Sequence, residues 1–242
     1  MSSMSNSIRP GPTDVVGTIR HRLLTNSLAD PAEVAPHLPE GIRPHVSSSG
    51  GVVVGCCLIA IDSARPWPLP EAVGMSIHAV AHRISVDVGP ESSPQRSVYV
   101  PCRHTNSRPA VAVGGRLFPG VHRRAAISIE ETPEILSWSV SSADADQDFN
   151  ISVTADIANA PDAQTEVAEI VIGTVLGVSP GHRDGSIEAA DMCPETMSAK
   201  AVTLSSLASP FIEGFSTAEP AETLLMTNVG VTWRRANGWT TT

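Results

Sequence analysis

Gly51-Val52-Val53-Val54-Gly55-Cys56-Cys57-Leu58-Ile59-Ala60-Ile61 is an unbroken apolar run rich in β-branched residues. A run of this kind, bounded by turn signals, reads as a buried strand. The preceding segment, Val15–Leu28, also reads as a strand, with Arg20 and Arg22 on one face. Between the two, Asp30-Pro31-Ala32-Glu33 has the form of a helix start: an Asp cap, Pro at the first helical position, and Glu where a capping box wants it. Pro39-Glu40-Gly41 ends that helix early. On the other side, Ala64–Pro70 carries three prolines and reads as a loop. Ser76–Val88 and Ser97–His104 read as strands. Ala110–Val113 opens a further apolar segment that ends at the Gly114-Gly115 kink. Ala125–Glu130, Ile135–Val140 and Asn150–Ile157 form an antiparallel meander with polar turns. Thr165–Leu176 reads as a helix, with Val167, Ile170, Val171 and Val175 at helical spacing. The last strand is Thr223–Trp233. The acidic, polar stretch 141–148 is a solvated loop.

The pattern predicts a mainly β chain with a few short helices, an α+β fold whose sheet closes or nearly closes on itself and so removes exposed edges. Composition agrees. The 242 residues carry 20 Pro and 18 Gly, against a helical bundle, and 41% hydrophobic residues, enough for a packed core. Residues 1–14 read as a disordered tail and 15–242 as one domain. The formal charge is −9 and no basic stretch tracks phosphates, so nucleic acid is not an expected partner. No apolar run is long enough for a membrane span, and Met1 to Gly17 has no apolar signal core. Cys56 and Cys57 are adjacent and cannot easily bridge each other. Together with Cys102 and Cys193 they read as reduced thiols of a cytoplasmic protein.

The chemistry-bearing residues gather in the middle third: His78, His82, Arg83, Arg103, His104, Arg116, His122, Arg123 and Arg124. His78 and His82 share a strand face, but a metal needs a third converging ligand and no tight ligand spacing supplies it, so no metal is expected. His122-Arg123-Arg124 follows a Pro119-Gly120 turn. It reads either as a solvated basic turn or as a general base beside fixed positive charge. In the second case a nearby guanidinium disfavours imidazolium and keeps His122 neutral, the state a base requires. Asp62, Asp87 and Glu71 border the same segments without marking one as a histidine partner. The single lysine, Lys200, sits in a polar and exposed stretch.

Two segments then carry a family resemblance. Pro109–Ala125, with Arg116-Leu117-Phe118 and His122-Arg123, resembles a segment of the acetoacetate decarboxylase-like superfamily, closest to its YqjF-like (DUF2071) branch. The Pro before the histidine is displaced here. Asp30 to Val34 followed by Leu38-Pro39-Glu40-Gly41-Ile42 is similar to the opening of that family, and Ala81-His82-Arg83-Ile84 lies between the two, where the branch tends to carry an Arg. The resemblance covers roughly residues 18–235 and implies a β-barrel or cone enclosing a cavity. The decarboxylases use a pair of lysines, one forming a Schiff base. His122 and Arg123 fall at that pair here, and Arg20 falls at an active-site Arg. The pocket carboxylates have no clear counterpart.

The resemblance therefore implies a cavity walled by His and Arg. The expected function is a cofactor-independent enzyme of specialised metabolism, an isomerase or cyclase, a dehydratase or an aldol-type lyase, acting on a small enolisable or anionic metabolite. It is not a Schiff-base decarboxylase. His122 and Arg123 are the candidate catalytic residues. Arg20, Arg83, His82, His104 and Arg116 are the candidate substrate-binding residues, with neither cofactor nor metal. The alternative is a non-catalytic barrel that binds a small molecule. A purely structural protein has less support, because no amphipathic seam or charge block invites a partner. The family's habit of oligomerising points to a homo-oligomer.

Overall fold

A computed structural model of the chain describes residues 10–114, 119–142, 150–183 and 185–236. Residues 1–9 of the expected tail, Arg116 and most of the 141–148 stretch lie outside the described residues. Residues 11–14 form a turn in which the Gly11 amide donates to Asp14 Oδ2 at 2.8 Å, and Arg234 holds the same carboxylate at 3.2 Å.

In chain order the strands are β1 (Val15–Ala29), β2 (Arg43–Pro44), β3 (Val52–Pro66), β4 (Met75–Val88), β5 (Gln95–Tyr99), β6 (Arg103–Thr105) and β7 (Arg123–Glu131). They continue with β8 (Ile135–Ser142), β9 (Ile151–Asp156), β10 (Leu176–Pro180), β11 (Ile187–Pro194), β12 (Lys200–Ala208), β13 (Glu219–Pro220) and β14 (Thr223–Arg235). The helices are short: α1 (Pro31–Val34), α2 (Arg108–Val113), α3 (Glu166–Gly173) and α4 (Pro210–Glu213). The mainly β expectation, with few and brief helices, is the observed fold.

Among the described residues, the pairings close the sheet twice. One ring runs β1-β3-β4-β5-β10-β11-β14 and returns to β1, with β5 and β10 parallel. The other leaves β4 through β6, passes β7, β8, β9 and β12, and rejoins at β14. Strands β1, β3, β4 and β14 belong to both rings, so the wall they form has an interior on each side. This accounts for the Gly51–Ile61 run: a strand buried between two interiors can be apolar on both faces. Successive side chains alternate between the two. Cys56, Leu58 and Ala60 enter the β7–β9 ring, which is filled by Leu136, Trp138, Val140, Ile151 and Val153. Cys57, Ile59 and Ile61 face the other ring, where α3 packs Ile170 and Val171 against Ile19, Leu24 and Met226.

Several local expectations are corrected. Ser97–His104 is not one strand. Pro101 cannot donate to a ladder, and the chain breaks there into β5, which pairs β4 and β10, and β6, which pairs β4 and β7. Ala110–Val113 lies in helix α2, capped by Ser107 Oγ accepting from the Ala110 amide at 3.3 Å. Strand β3 continues to Pro66, past the start of the expected loop. Asp30 caps α1 as read, accepting from the Ala32 amide at 2.7 Å, but Glu33 does not turn back to close a box. Its carboxylate takes the Ser216 and Thr217 amides and the Thr217 hydroxyl, tying α1 to the segment before β13. Finally, β1 carries a bulge: Ile19 pairs with Ile61 and His21 with Ala60, leaving Arg20 extra. The extra residue resets the alternation, so Arg20 and Arg22 lie on opposite faces.

Candidate functional site

The ring closed by β5, β10 and β11 encloses a cavity of about 390 Å³. The alternation of the shared wall decides what reaches it. On β4 the odd-numbered residues Ile77, Ala79, Ala81 and Arg83 line the cavity. On β6 the lining residues are Arg103 and Thr105, and past the bulge Arg22 enters from β1. Most of the wall is aliphatic. The polar groups are Arg22, Arg65, Arg83, Arg103 and His122, with Cys57, Ser85, Thr105 and Thr174.

His122 comes from the segment between the Pro119-Gly120 turn and β7. Its Nδ1 lies 3.0 Å from the Gly120 carbonyl oxygen. A carbonyl only accepts, so Nδ1 carries the proton and Nε2 keeps its lone pair. Burial, then the Arg103 guanidinium, push the imidazole down to about 4, against the weaker pull of the Gly120 carbonyl. At neutral pH the ring is therefore uncharged and basic at Nε2. Of the two sequence readings of His122, one set a neutral imidazole beside a guanidinium; the guanidinium found beside it is Arg103, not a neighbour in the chain.

Two glycines make this arrangement possible. Gly120 has φ +87°, and a Cβ there would collide with Arg103 Nη1. A Cβ at Gly114 would overlap His122 Nδ1. The turn itself is clamped from both sides. Arg103 Nη1 donates to the Pro119 carbonyl at 3.0 Å, and the Gly120 amide donates to Glu188 Oε2 at 2.8 Å. Burial lowers the Arg103 guanidinium to about 10, opposed by Cys57 and Glu188, so it stays charged at neutral pH.

The wall's alternation separates the other expected residues. Arg83 lines the same cavity as His122 and Arg103. Arg123 starts β7 exposed, and its backbone pairs with His104. Arg20, His82 and His104 lie on the opposite side of the wall. Arg20 reaches His78 Nε2 at 3.4 Å and Asp62 at 4.0 Å. His82 stacks on Phe211 with ring centroids 4.1 Å apart, and His104 meets Ser142 Oγ at 3.2 Å. Among the described residues no three His, Cys, Asp or Glu side chains form a metal-binding group. Arg116 lies outside the described residues. Two cavity residues were missed as ligands by the sequence reading, Arg22 and Arg103. Strict alternation through Arg103-His104-Thr105 already puts Arg103 and His104 on opposite faces, a usable signal. Arg22 had none, because the bulge at Arg20 depends on the partner strand.

Lys200, the chain's one lysine, sits on the surface with 54% of its side chain exposed and pairs with Asp162 at 2.8 Å. No helix among the described residues is long and apolar enough to cross a membrane.

No family model matches the sequence, and no curated protein sequence does. Solved structures do match. The acetoacetate decarboxylase of Legionella pneumophila aligns with TM-score 0.62 at 12% identity, over 95% of this chain and 90% of that one. An acetoacetate decarboxylase-like enzyme from Sphingomonas wittichii aligns with TM-score 0.59 at 11% identity, over 97% and 96%. The enduracididine biosynthesis enzyme MppR, complexed with pyruvate, aligns with TM-score 0.58 at 10% identity, over 96% and 91%. The chain has the acetoacetate decarboxylase-like fold.

Proposed function

We propose that this protein is a cofactor-independent enzyme of specialised metabolism that moves a proton on a small enolisable metabolite, with His122 as the acid–base group. The observation that carries the reading is His122 itself: a neutral imidazole on the cavity wall, its Nδ1–H spent on Gly120 and its Nε2 basic. His122 takes a proton from a carbon next to a carbonyl. The cation that faces the developing enolate oxygen is Arg103, the role the sequence reading gave to Arg123. Return of the proton at another atom gives an isomer, and loss of a β-hydroxyl gives a dehydration. In an aldol-type cleavage His122 instead takes the proton of a β-hydroxyl, the bond between the α and β carbons breaks, its electron pair becomes the enolate, and His122 returns the proton to that carbon. Arg83 contributes to substrate binding from the cavity wall. A Schiff base plays no part, because the chain's one lysine is engaged with Asp162 at the surface. The matching fold of a decarboxylase and of a biosynthetic enzyme supports the reading by analogy. Membership of the YqjF-like branch rests on Arg116-Leu117-Phe118 and His122-Arg123. The cytoplasmic location and a homo-oligomer remain part of the proposal.

The test is native mass spectrometry of the protein with a metabolite extract in deuterated water, comparing the wild-type chain with His122→Ala. The expected result is a compound released with new deuterium on carbon, or as an isomer or dehydrated product, from the wild-type chain only. If both proteins bind and release the same unchanged compound, the enzyme reading fails. The second reading, a binding barrel with a largely aliphatic wall, then stands.

A further inference from the structure

The cavity holds more positive charge than proton transfer at His122 uses. Arg22 and Arg83 both face it and are only 8% and 6% exposed. They stand on either side of β3, Arg22 opposite Ile59 and Arg83 beyond Gly55. Asn26 orients Arg83. Its Nδ2 donates to the Leu24 carbonyl at 3.2 Å and the Glu222 carbonyl at 2.6 Å, which leaves Oδ1 to accept from Arg83 Nη2. Among the described residues Arg22 meets only the soft sulfur of Met226, at 3.6 Å from Nη1.

The Nε of each guanidinium has no partner, and among the described residues neither cation meets a carboxylate. Glu188 lies beside Arg103 and the Gly120 amide instead. Arg22 and Arg83 are also close enough to repel. Burial first, and Arg22 with it, brings Arg83 down to about 10, so it stays charged. Two buried cations without a counter-ion are costly, and an anion brought in by a ligand offsets that cost. The rest of the cavity wall is largely aliphatic, with Ile59, Ile61, Ile77, Val98 and Val171, and Trp233 also lines it.

We propose that Arg22 and Arg83 clamp the carboxylate of a substrate whose apolar body fills the aliphatic part of the cavity, an amphipathic carboxylic acid and not a small polar one. The planar guanidinium fork suits a carboxylate, and the aliphatic wall suits a hydrocarbon or aromatic body. The inference rests on the acid–base reading only for where the reacting carbon lies, near His122. The clamp itself is independent of catalysis.

Calorimetric titration of the wild-type chain with octanoate, octanamide, acetate and octyl phosphate tests it without any variant. Octanoate is expected to bind at least about tenfold tighter than octanamide, which lacks the charge, and than acetate, which lacks the body. Arg22→Met and Arg83→Met are each expected to lose about tenfold or more for octanoate while octanamide is unaffected. Arg22→Met is also expected to melt at a higher temperature than the wild-type chain without ligand, since it removes an unpaired buried cation and strands no partner but a thioether. Equal binding of octanoate and octanamide, or undiminished octanoate binding in both variants, overturns the clamp. Tighter binding of octyl phosphate than of octanoate overturns the carboxylate assignment. Octanoate bound as expected by a protein that never turns a compound over sinks the catalytic reading and leaves the clamp standing.

Discussion

At the scale of the residue, burial holds two histidines neutral, His122 on the cavity wall and His82 on the far side of it. His122 is lowered to about 4 by desolvation and Arg103, and His82 to about 3 by desolvation and His104. Both values lie below the ordinary imidazole value, so between pH 6.5 and these values the unfolded chain binds protons that the folded chain refuses. Stability is therefore full above about pH 6.5 and falls as pH drops toward 4. Thermal melts between pH 4 and 8 are expected to show this loss, and His82→Leu is expected to flatten it. The rate of any His122-dependent proton transfer is expected to hold down to about pH 5 and to titrate near 4. An acid limb near 6.5 would mean an ordinary, solvated imidazole.

At the scale of the element, the Pro119-Gly120 turn and α2 together set the direction of His122. Gly114→Ala puts a methyl where His122 Nδ1 sits, with the Ala110 carbonyl 3.0 Å from the new carbon. The backbone at Gly114 has φ −60°, so the substitution is not strained in itself. The expected outcome is a folded protein, melting within a few degrees of the wild-type chain, whose turnover falls by about two orders of magnitude as the base is displaced. Paired melting and rate measurements check this. The elements also show where sequence reasoning works. The β7–β8–β9 meander, the α3 stretch and the final strand were legible because alternation and helical spacing are local. The bulge at Arg20 and the break at Pro101 were not, because each is defined by register against strands distant in the chain.

At the scale of the whole molecule, one wall serves two interiors. The core of the β7–β9 ring is built around Trp138, which is 1% exposed. Trp138→Ala is expected to cost about 3–5 kcal/mol in a urea melt. Below its lowered midpoint it is expected to bind ligand as before, since Trp138 lies on the far side of the wall from the cavity. Lys200→Arg is expected to keep full activity, and borohydride is expected to trap no carbonyl adduct on the wild-type chain. A reduced adduct on Lys200 would overturn the lysine-independent chemistry. The match to acetoacetate decarboxylase-like structures belongs to this scale too. It fixes the path of the chain at identities of 10–12% and leaves the chemistry to the residues.

By itself, the sequence determined that the chain is a turn-rich β fold, that the Gly51–Ile61 run lies in a largely buried strand, and that the reactive residues are His and Arg with a single lysine elsewhere. Composition, periodicity and residue inventory are properties of the chain alone. Only the tertiary structure decided which face of the wall each residue meets. Arg83 and His122 came to the cavity, together with Arg22 and Arg103, while Arg20, His82 and His104 went to its other side. The physical reason is that side chains alternate with a period of two, so one bulged residue moves a side chain from one interior to the other. Where the bulge falls is set by the pairing of β1 with β3, which no local pattern in β1 encodes.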